Sequence, residues 1–409
     1  MTMLWSRRGV LGAGAGLAGL GALSACGGST TPAQGGGGGP IRFTWWGGEF
    51  YDDLTKRMVA EFTDQHPDIE VAFEPGSWDG YWDRLATQVA GNDAPDVINM
   101  DGKYVAEYAG RGVLADLEEL GVDLSALSEA DRAAGTVDGS VRAASTGSNS
   151  WLIFANPTLF DKAGVDIPDD TSWTWDELYE LATTLTDSGV VGLNGGGSYA
   201  DLTIFLRQQG QDFFSPDGLG YTDDALAQWY AWYLRLIEGK AGPTAEQEVE
   251  DAGLGLEQKL FGTNKAAMSW FWSNNLTAVR TATGHDDIVM LRPPSSTGDR
   301  ADNGAYLKAS MYWSINSRSE NAESAAALVD FLVNDPAAAT IQLLNRGVPS
   351  SQAMLEAMEP EFTPDDVEVA ELITALGEEI TSAPAIQPTG TSEAPAVLTR
   401  NLTEVRFKR

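Results

Sequence analysis

Between Ile41 and Leu114 the apolar residues switch repeatedly between the spacing of a strand and that of a helix, and this alternation restricts the possible folds most. Ile41, Phe43 and Trp45 alternate as on a strand, which Trp46-Gly47-Gly48-Glu49 ends. Tyr51, Leu54, Met58, Val59 and Phe62 follow at helical spacing, and Pro67 requires that helix to stop before His66. Ile69, Val71 and Phe73 predict a second strand and Tyr81, Leu85 and Val89 a second helix. Asp96-Val97-Ile98-Asn99-Met100 reads as a buried strand, and Val105 to Tyr108 lie on a third helix leading to Leu114. This order predicts a parallel α/β sheet with helices on both faces. Ligands of such sheets sit at the carboxyl ends of strands, here Trp46 to Glu49, Pro75 to Trp78 and Asp101.

The first 40 residues are not part of that pattern. Arg7 and Arg8, an apolar stretch from Val10 to Leu23, and Leu23-Ser24-Ala25-Cys26 form a bacterial lipoprotein signal. Residues 1–25 are expected to be removed and the Cys26 thiolate to take the lipid; an ordinary secretory peptide with a chance cysteine is the competing reading. The apolar run is too short and too glycine-rich to span a bilayer permanently. Ser6-Arg7-Arg8-Gly9-Val10-Leu11 fits a twin-arginine export signal as well as an ordinary positive start. A diacylated Cys26 would hold the protein at the extracellular face of the cytoplasmic membrane. Residues 26–40, with consecutive glycines at 35–39, make a flexible tether.

The remaining stretch of about 370 residues exceeds one core and points to two lobes. A formal charge of −33 repels phosphate backbones and anionic lipid heads, which excludes nucleic acid as a partner. One cysteine allows no internal disulfide, and His66 and His285 are too few for a histidine-rich metal site, so neither metal nor cofactor is expected. Serine-triad, phosphate-loop and zinc patterns do not occur.

Several motifs carry a resemblance. Phe62-Thr63-Asp64-Gln65-His66-Pro67-Asp68-Ile69-Glu70-Val71, then Trp78-Asp79-Gly80-Tyr81-Trp82 and Ala94-Pro95-Asp96-Val97, resemble the first lobe of extracellular solute-binding proteins of carbohydrate ABC importers. Asn149-Ser150-Trp151-Leu152-Ile153-Phe154-Ala155-Asn156 is similar to that family's crossover into its second lobe, with Ala155 where the family usually has Tyr. Thr174-Trp175-Asp176-Glu177-Leu178 resembles a family helix start, and Thr174 with Glu177 independently predicts a capping box. Ala266 to Asn274 is similar to the return crossover, Lys308 to Ile315 to the third, and Arg346-Gly347-Val348-Pro349 to a further family element. The resemblance implies a type II periplasmic-binding-protein fold, two α/β lobes joined by a multi-crossover hinge. Lobe 1 would take residues 41–148 and 273–316 and lobe 2 residues 149–272 and 317–409, with crossovers near 146–151, 268–273 and 314–319. It further implies a monomer, without catalysis, that closes around a small-molecule carbohydrate and delivers it to ABC transporter permease subunits.

A sugar needs flat apolar surfaces for its C–H faces and planar polar groups for its hydroxyls. Most aromatic residues are core, but those at strand ends or crossovers are candidates for the cleft: Trp46, Trp78, Tyr81, Trp151, Trp270, Trp272, Tyr306 and Trp313. Trp45 continues the buried phase of Ile41 and Phe43, so Trp46 is assigned to the cleft. Trp270 and Trp272 share a face, either cleft wall or lobe interior. Glu49 follows two glycines that let a ligand approach, and its competing role is a solvated surface acid. Asp101 is assigned to the cleft ahead of a helix cap. Asn149 and Asn274 lie beside crossovers, where hinge hydrogen bonding competes with ligand binding. Arg346 is either a ligand residue or a cation at a helix C-terminus. The tryptophan content and the absence of a basic pocket point to a neutral sugar. The alternatives are a non-sugar solute and a glycoside hydrolase, whose paired carboxylates are always available among 59 acids.

Overall fold

The computed structural model describes residues 39–380, 382–391 and 393–408. The signal segment 1–25, the lipidation at Cys26 and tether residues 26–38 lie outside the described residues.

Two main sheets organise the chain. In the first, the strands run in the order Val71–Gly76, Ile41–Trp46, Val97–Met100, Tyr312–Ile315 and Ala144–Ser145. The three strands predicted from the alternation are parallel, with Phe43 opposite both Phe73 and Val97. Tyr312–Ile315 joins antiparallel from far along the chain. Helix Glu49–Gln65 buries Leu54, Thr55, Met58, Val59 and Phe62, and His66 ends it by donating its N–H to the Phe62 carbonyl at 2.8 Å.

In the second sheet the order is Val289–Leu291, Trp151–Ala155, Ala266–Trp272 and Val191–Asn194. Side chains alternate across it. Ile153 and Ala155 enter a core with Leu178, Trp229 and Trp270, while Leu152 and Phe154 enter the opposite core with Leu276, Met354 and Ile373. Burial on both faces explains why these strands read as continuous apolar runs. Each fully buried large aliphatic side chain contributes about 1.5–3 kcal/mol. Thr174 caps helix Trp175–Asp187 as its sequence predicts: Glu177 N–H donates to Thr174 Oγ1 at 3.3 Å, and Thr174 N–H to Glu177 Oε2 at 2.7 Å.

The expected lobe boundaries need correction. Strand Val289–Leu291 pairs with Trp151–Ala155, and Leu276 and Val279 pack in the second-sheet core, so the stretch from 273 to 291 does not go with the first sheet. Conversely, helices Ala322–Asn334 and Pro336–Gln342 place Ala325, Leu328, Leu332 and Ala338 against Phe62 and Trp313 in the core of the first sheet. The predicted crossovers shift accordingly. Of the expected stretch 146–151, Trp151 already begins a strand of the second sheet; 268–272 lies on a strand inside that sheet, and Ile315 belongs to the first sheet. The chain instead passes between the two sheets at 146–150, near 306–311 and at 343–351.

Candidate functional site

A cavity of about 460 Å³ lies between residues of the two sheets. From the first side come Trp78, Asp101, Lys103 and Tyr312. The second side contributes Tyr199, Phe213 and Tyr306, together with the irregular segment 384–387. The location follows from topology. Asp101 directly follows strand Val97–Met100, Trp78 lies just past Val71–Gly76, and Tyr199 follows Val191–Asn194, so all three sit beyond strand carboxyl ends. Four helices begin at this cavity: Trp78–Ala90, Gly102–Gly110, Tyr199–Arg207 and Ala394–Arg406.

Three of the sequence-selected residues line it. Trp78 is 38 % exposed, and its ring is braced edge-on by Trp46 at 5.3 Å and Trp82 at 5.6 Å. Asp101 plays both roles considered for it, facing the cavity while Oδ1 accepts the Lys103 N–H at 3.0 Å. Tyr306 is 2 % exposed and its Oη is buried without a hydrogen-bond partner. Burial pushes the Tyr199, Tyr306 and Tyr312 phenols upward in pKa; for Tyr199 the nearby Lys308 opposes this and Asp101 adds to it. All three therefore stay protonated near neutral pH and can donate hydrogen bonds.

The other candidates do not line this cavity. Trp46 stands behind Trp78. Exposed Glu49 lines a separate groove with Gly47, Gly48 and Lys56. Tyr81 is a core residue whose Oη donates to the Asn99 carbonyl at 2.7 Å, because the first turn of its helix presses that side chain onto the sheet. Trp313 is fully buried in the centre of the first sheet, opposite Asn99. Trp270 takes the interior alternative at 3 % exposure, stacked on half-buried Trp151 with ring centres 6.4 Å apart. Trp272 meets Trp151 at 5.1 Å and Tyr306 at 6.3 Å, backing the cavity wall. Asn149 braces the passage between the sheets, donating to Ser310 Oγ at 2.5 Å and accepting from Ser273 Oγ at 3.2 Å. Exposed Asn274 accepts from Asn275 Nδ2 at 3.2 Å in a short 3₁₀ turn.

Arg346 fits neither of its expected roles. It is buried between the rings of Tyr51 and Trp313, at 5.4 and 5.0 Å, and donates to Thr55 Oγ1 at 2.7 Å; burial lowers its pKa to about 10. Sequence reasoning missed Lys103, Tyr199, Phe213, Lys308, Tyr312 and the segment 384–387. The triplet Gly195-Gly196-Gly197 ahead of Tyr199 was a usable signal, since it marks a strand end where backbone approaches closely.

The contrast between Tyr81 and Trp78 is measurable. Tyr81→Phe is expected to leave ligand affinity within about twofold and to cost about 1 kcal/mol of stability through the lost Asn99 hydrogen bond. Calorimetric titration and thermal denaturation read the two effects separately.

The sequence profile described as bacterial extracellular solute-binding protein matches residues 48–339. An uncharacterized lipoprotein in the oleD 5′ region of Streptomyces antibioticus is 33 % identical over 149 residues, covering 34 % of this chain and 32 % of that protein. The chain spans less than half the length of the curated relatives it matches. Among solved structures, a family 1 extracellular solute-binding protein of Alicyclobacillus acidocaldarius has a TM-score of 0.75 at 21 % identity, covering 91 % of this chain and 95 % of that one. An ABC substrate-binding protein of Listeria monocytogenes in complex with cycloalternan has a TM-score of 0.72 at 21 % identity, covering 90 % and 94 %. These likenesses show the shared α/β fold.

Proposed function

We propose, from the premise that this chain belongs to the bacterial extracellular solute-binding proteins, that it captures a sugar or oligosaccharide for an ABC importer. The observation that carries this reading is the cavity between the two sheets, where the Trp78 face and the unpartnered Tyr306 Oη converge. A flat apolar ring suits the C–H face of a pyranose, and buried phenols suit its hydroxyls. The cycloalternan-bound relative supports the choice of ligand class.

The two sheets with their helices act as lobes that rotate about 146–150, 306–311 and 343–351 and enclose the solute. Binding drives closure because only the closed form touches the ligand from both sides. The closed form is then recognised by the permease subunits, with the protein working as a monomer and breaking no bond of its ligand. Among the described residues no single helix is long and apolar enough to cross a membrane. Attachment to the extracellular face rests on Cys26, as the lipoprotein relative supports.

Thermal denaturation against a panel of mono- and oligosaccharides tests the reading. A ligand at a hundred times its Kd adds about 2.7 kcal/mol of stability, which raises the Tm by roughly 3–4 °C in a protein of this size. The ligand should be recovered intact, as chromatography of the mixture checks; hydrolysis products, or a panel without any shift, would overturn the proposal.

A further inference from the structure

We infer that the solute is an anionic sugar, carboxylated or phosphorylated, whose charged group is held by Lys103 and Lys308. The inference rests on the saccharide reading above and replaces the neutral ligand expected from sequence.

Two lysines, Lys103 and Lys308, line this cavity. Among the described residues the lysine ion pairs are those of Lys259 and Lys408. Lys103 Nζ instead lies 4.8 Å from the ring centres of both Trp78 and Tyr104. Lys308 Nζ donates to the Ala309 carbonyl at 3.3 Å and lies 5.7 Å from the Trp272 ring.

The backbone around Lys103 favours an anion as well. Lys103 is the second residue of helix Gly102–Gly110, whose first turn contains no acid, so its charge adds to the positive end of the helix dipole. The Asp101 carboxylate at the N-cap offsets part of that positive charge. The helices Trp78–Ala90, Tyr199–Arg207 and Ala394–Arg406 also begin at the cavity, with Asp201 in the first turn of the second and Glu393 at the N-cap of the third offsetting their positive ends. Buried Tyr306 supplies an unpartnered hydroxyl, and Gln387 an unpartnered Nε2 donor.

Three acids share the lining, and two of them are committed. Asp101 caps the Lys103 helix. Asp212 accepts the amides of Phe213 at 2.7 Å and Ala385 at 2.9 Å and pairs with Arg207 at 3.6 Å. Glu393 is exposed at the start of the last helix. Among the described residues Lys103 and Lys308 have no carboxylate within ion-pair distance, and Asp212 is the one lining acid paired with a cation. These residues lie far apart in the sequence, so the chain gives no local sign of a basic pocket.

The test is calorimetric titration of the whole chain with matched series on one ring: glucose, glucuronate and glucose 6-phosphate, and galactobiose against digalacturonate. An anionic member should bind at least about thirtyfold tighter than its neutral counterpart and weaken as salt rises. Lys103→Gln or Lys308→Gln should reduce anion affinity by about tenfold or more, with the neutral member within about threefold. The carboxylate and phosphate arms identify which anion is taken. Neutral members binding as tightly as the anions would overturn the inference and leave the saccharide reading intact. An anion preference unchanged in both variants would overturn the assignment to these lysines. Failure of every sugar, neutral or charged, would remove the saccharide reading itself. The salt dependence of the unaltered protein decides the question even if a variant does not fold.

Discussion

Trp78→Ala is expected to weaken saccharide binding by roughly thirtyfold to seven-hundredfold while the protein stays folded. The ring is 38 % exposed and faces the cavity, so its removal opens no sealed core. Trp46 at 5.3 Å and Trp82 at 5.6 Å fix its orientation before ligand arrives, so the platform costs little entropy on binding. Central aromatic residues of this kind are worth about 2–4 kcal/mol when truncated, which is roughly thirtyfold to seven-hundredfold in Kd. The edge-on ring contacts contribute about 0.5–1.5 kcal/mol each, so the Tm should fall by only a few degrees. Trp78→Phe keeps a smaller apolar face and should recover most of the affinity. Calorimetric titration of both variants, with thermal denaturation as the folding check, measures this. A loss below about fivefold in Trp78→Ala would show that the ligand lies elsewhere.

Local chemistry was legible in the sequence wherever neighbours alone decide it. Trp45 is buried and Trp46 is not because strand alternation sends them to opposite faces. Thr174 and Glu177 form their capping box because its partners are three residues apart. The same local reasoning failed for Tyr81 and Trp313. Each lies near a strand end or passage, but its burial is set by what packs over it: for Tyr81 the strand Val97–Met100, for Trp313 helix Ala322–Asn334 and Arg346. The apolar stripe Ala325, Leu328 and Leu332 was equally readable as a helix face, yet a stripe does not say which of two sheets it covers. The segment 384–387 has neither helical nor strand period and enters the cavity only through long-range packing. The place of Lys103 and Lys308 at the cavity was missed for the same reason.

Gly147→Ala is expected to lower the Tm by roughly 3–8 °C and to weaken binding by at least about tenfold. Gly147 holds φ at +146° in the passage 146–150, and a Cβ there would meet the carbonyl carbon and oxygen of Gly347 at 2.6 Å. Gly347 has φ of +90° in the passage 343–351, and its own Cβ would meet Gly147 equally closely. Two connecting segments thus lie backbone against backbone with no room for side chains. Ser148 and Val348 exchange both hydrogen bonds at 2.8 and 3.0 Å, and Asp131 accepts from the hydroxyls of Ser148 and Ser350, tying both passages to one buried carboxylate. Backbone strain of about 1–3 kcal/mol adds to an overpacking cost of about 1–3 kcal/mol, and each kcal/mol lowers the Tm by about 1.3 °C in a protein of this size. The control is Gly284→Ala: φ is +70° there, but nothing lies within 4 Å of the added Cβ, so only the strain is felt. Because both passages connect the two sheets, forcing them apart is expected to shift Trp78 relative to Tyr199 across the cavity. Thermal denaturation and titration of both variants separate the terms. If Gly147→Ala were no worse than Gly284→Ala in either readout, the two passages would not act as a packed hinge.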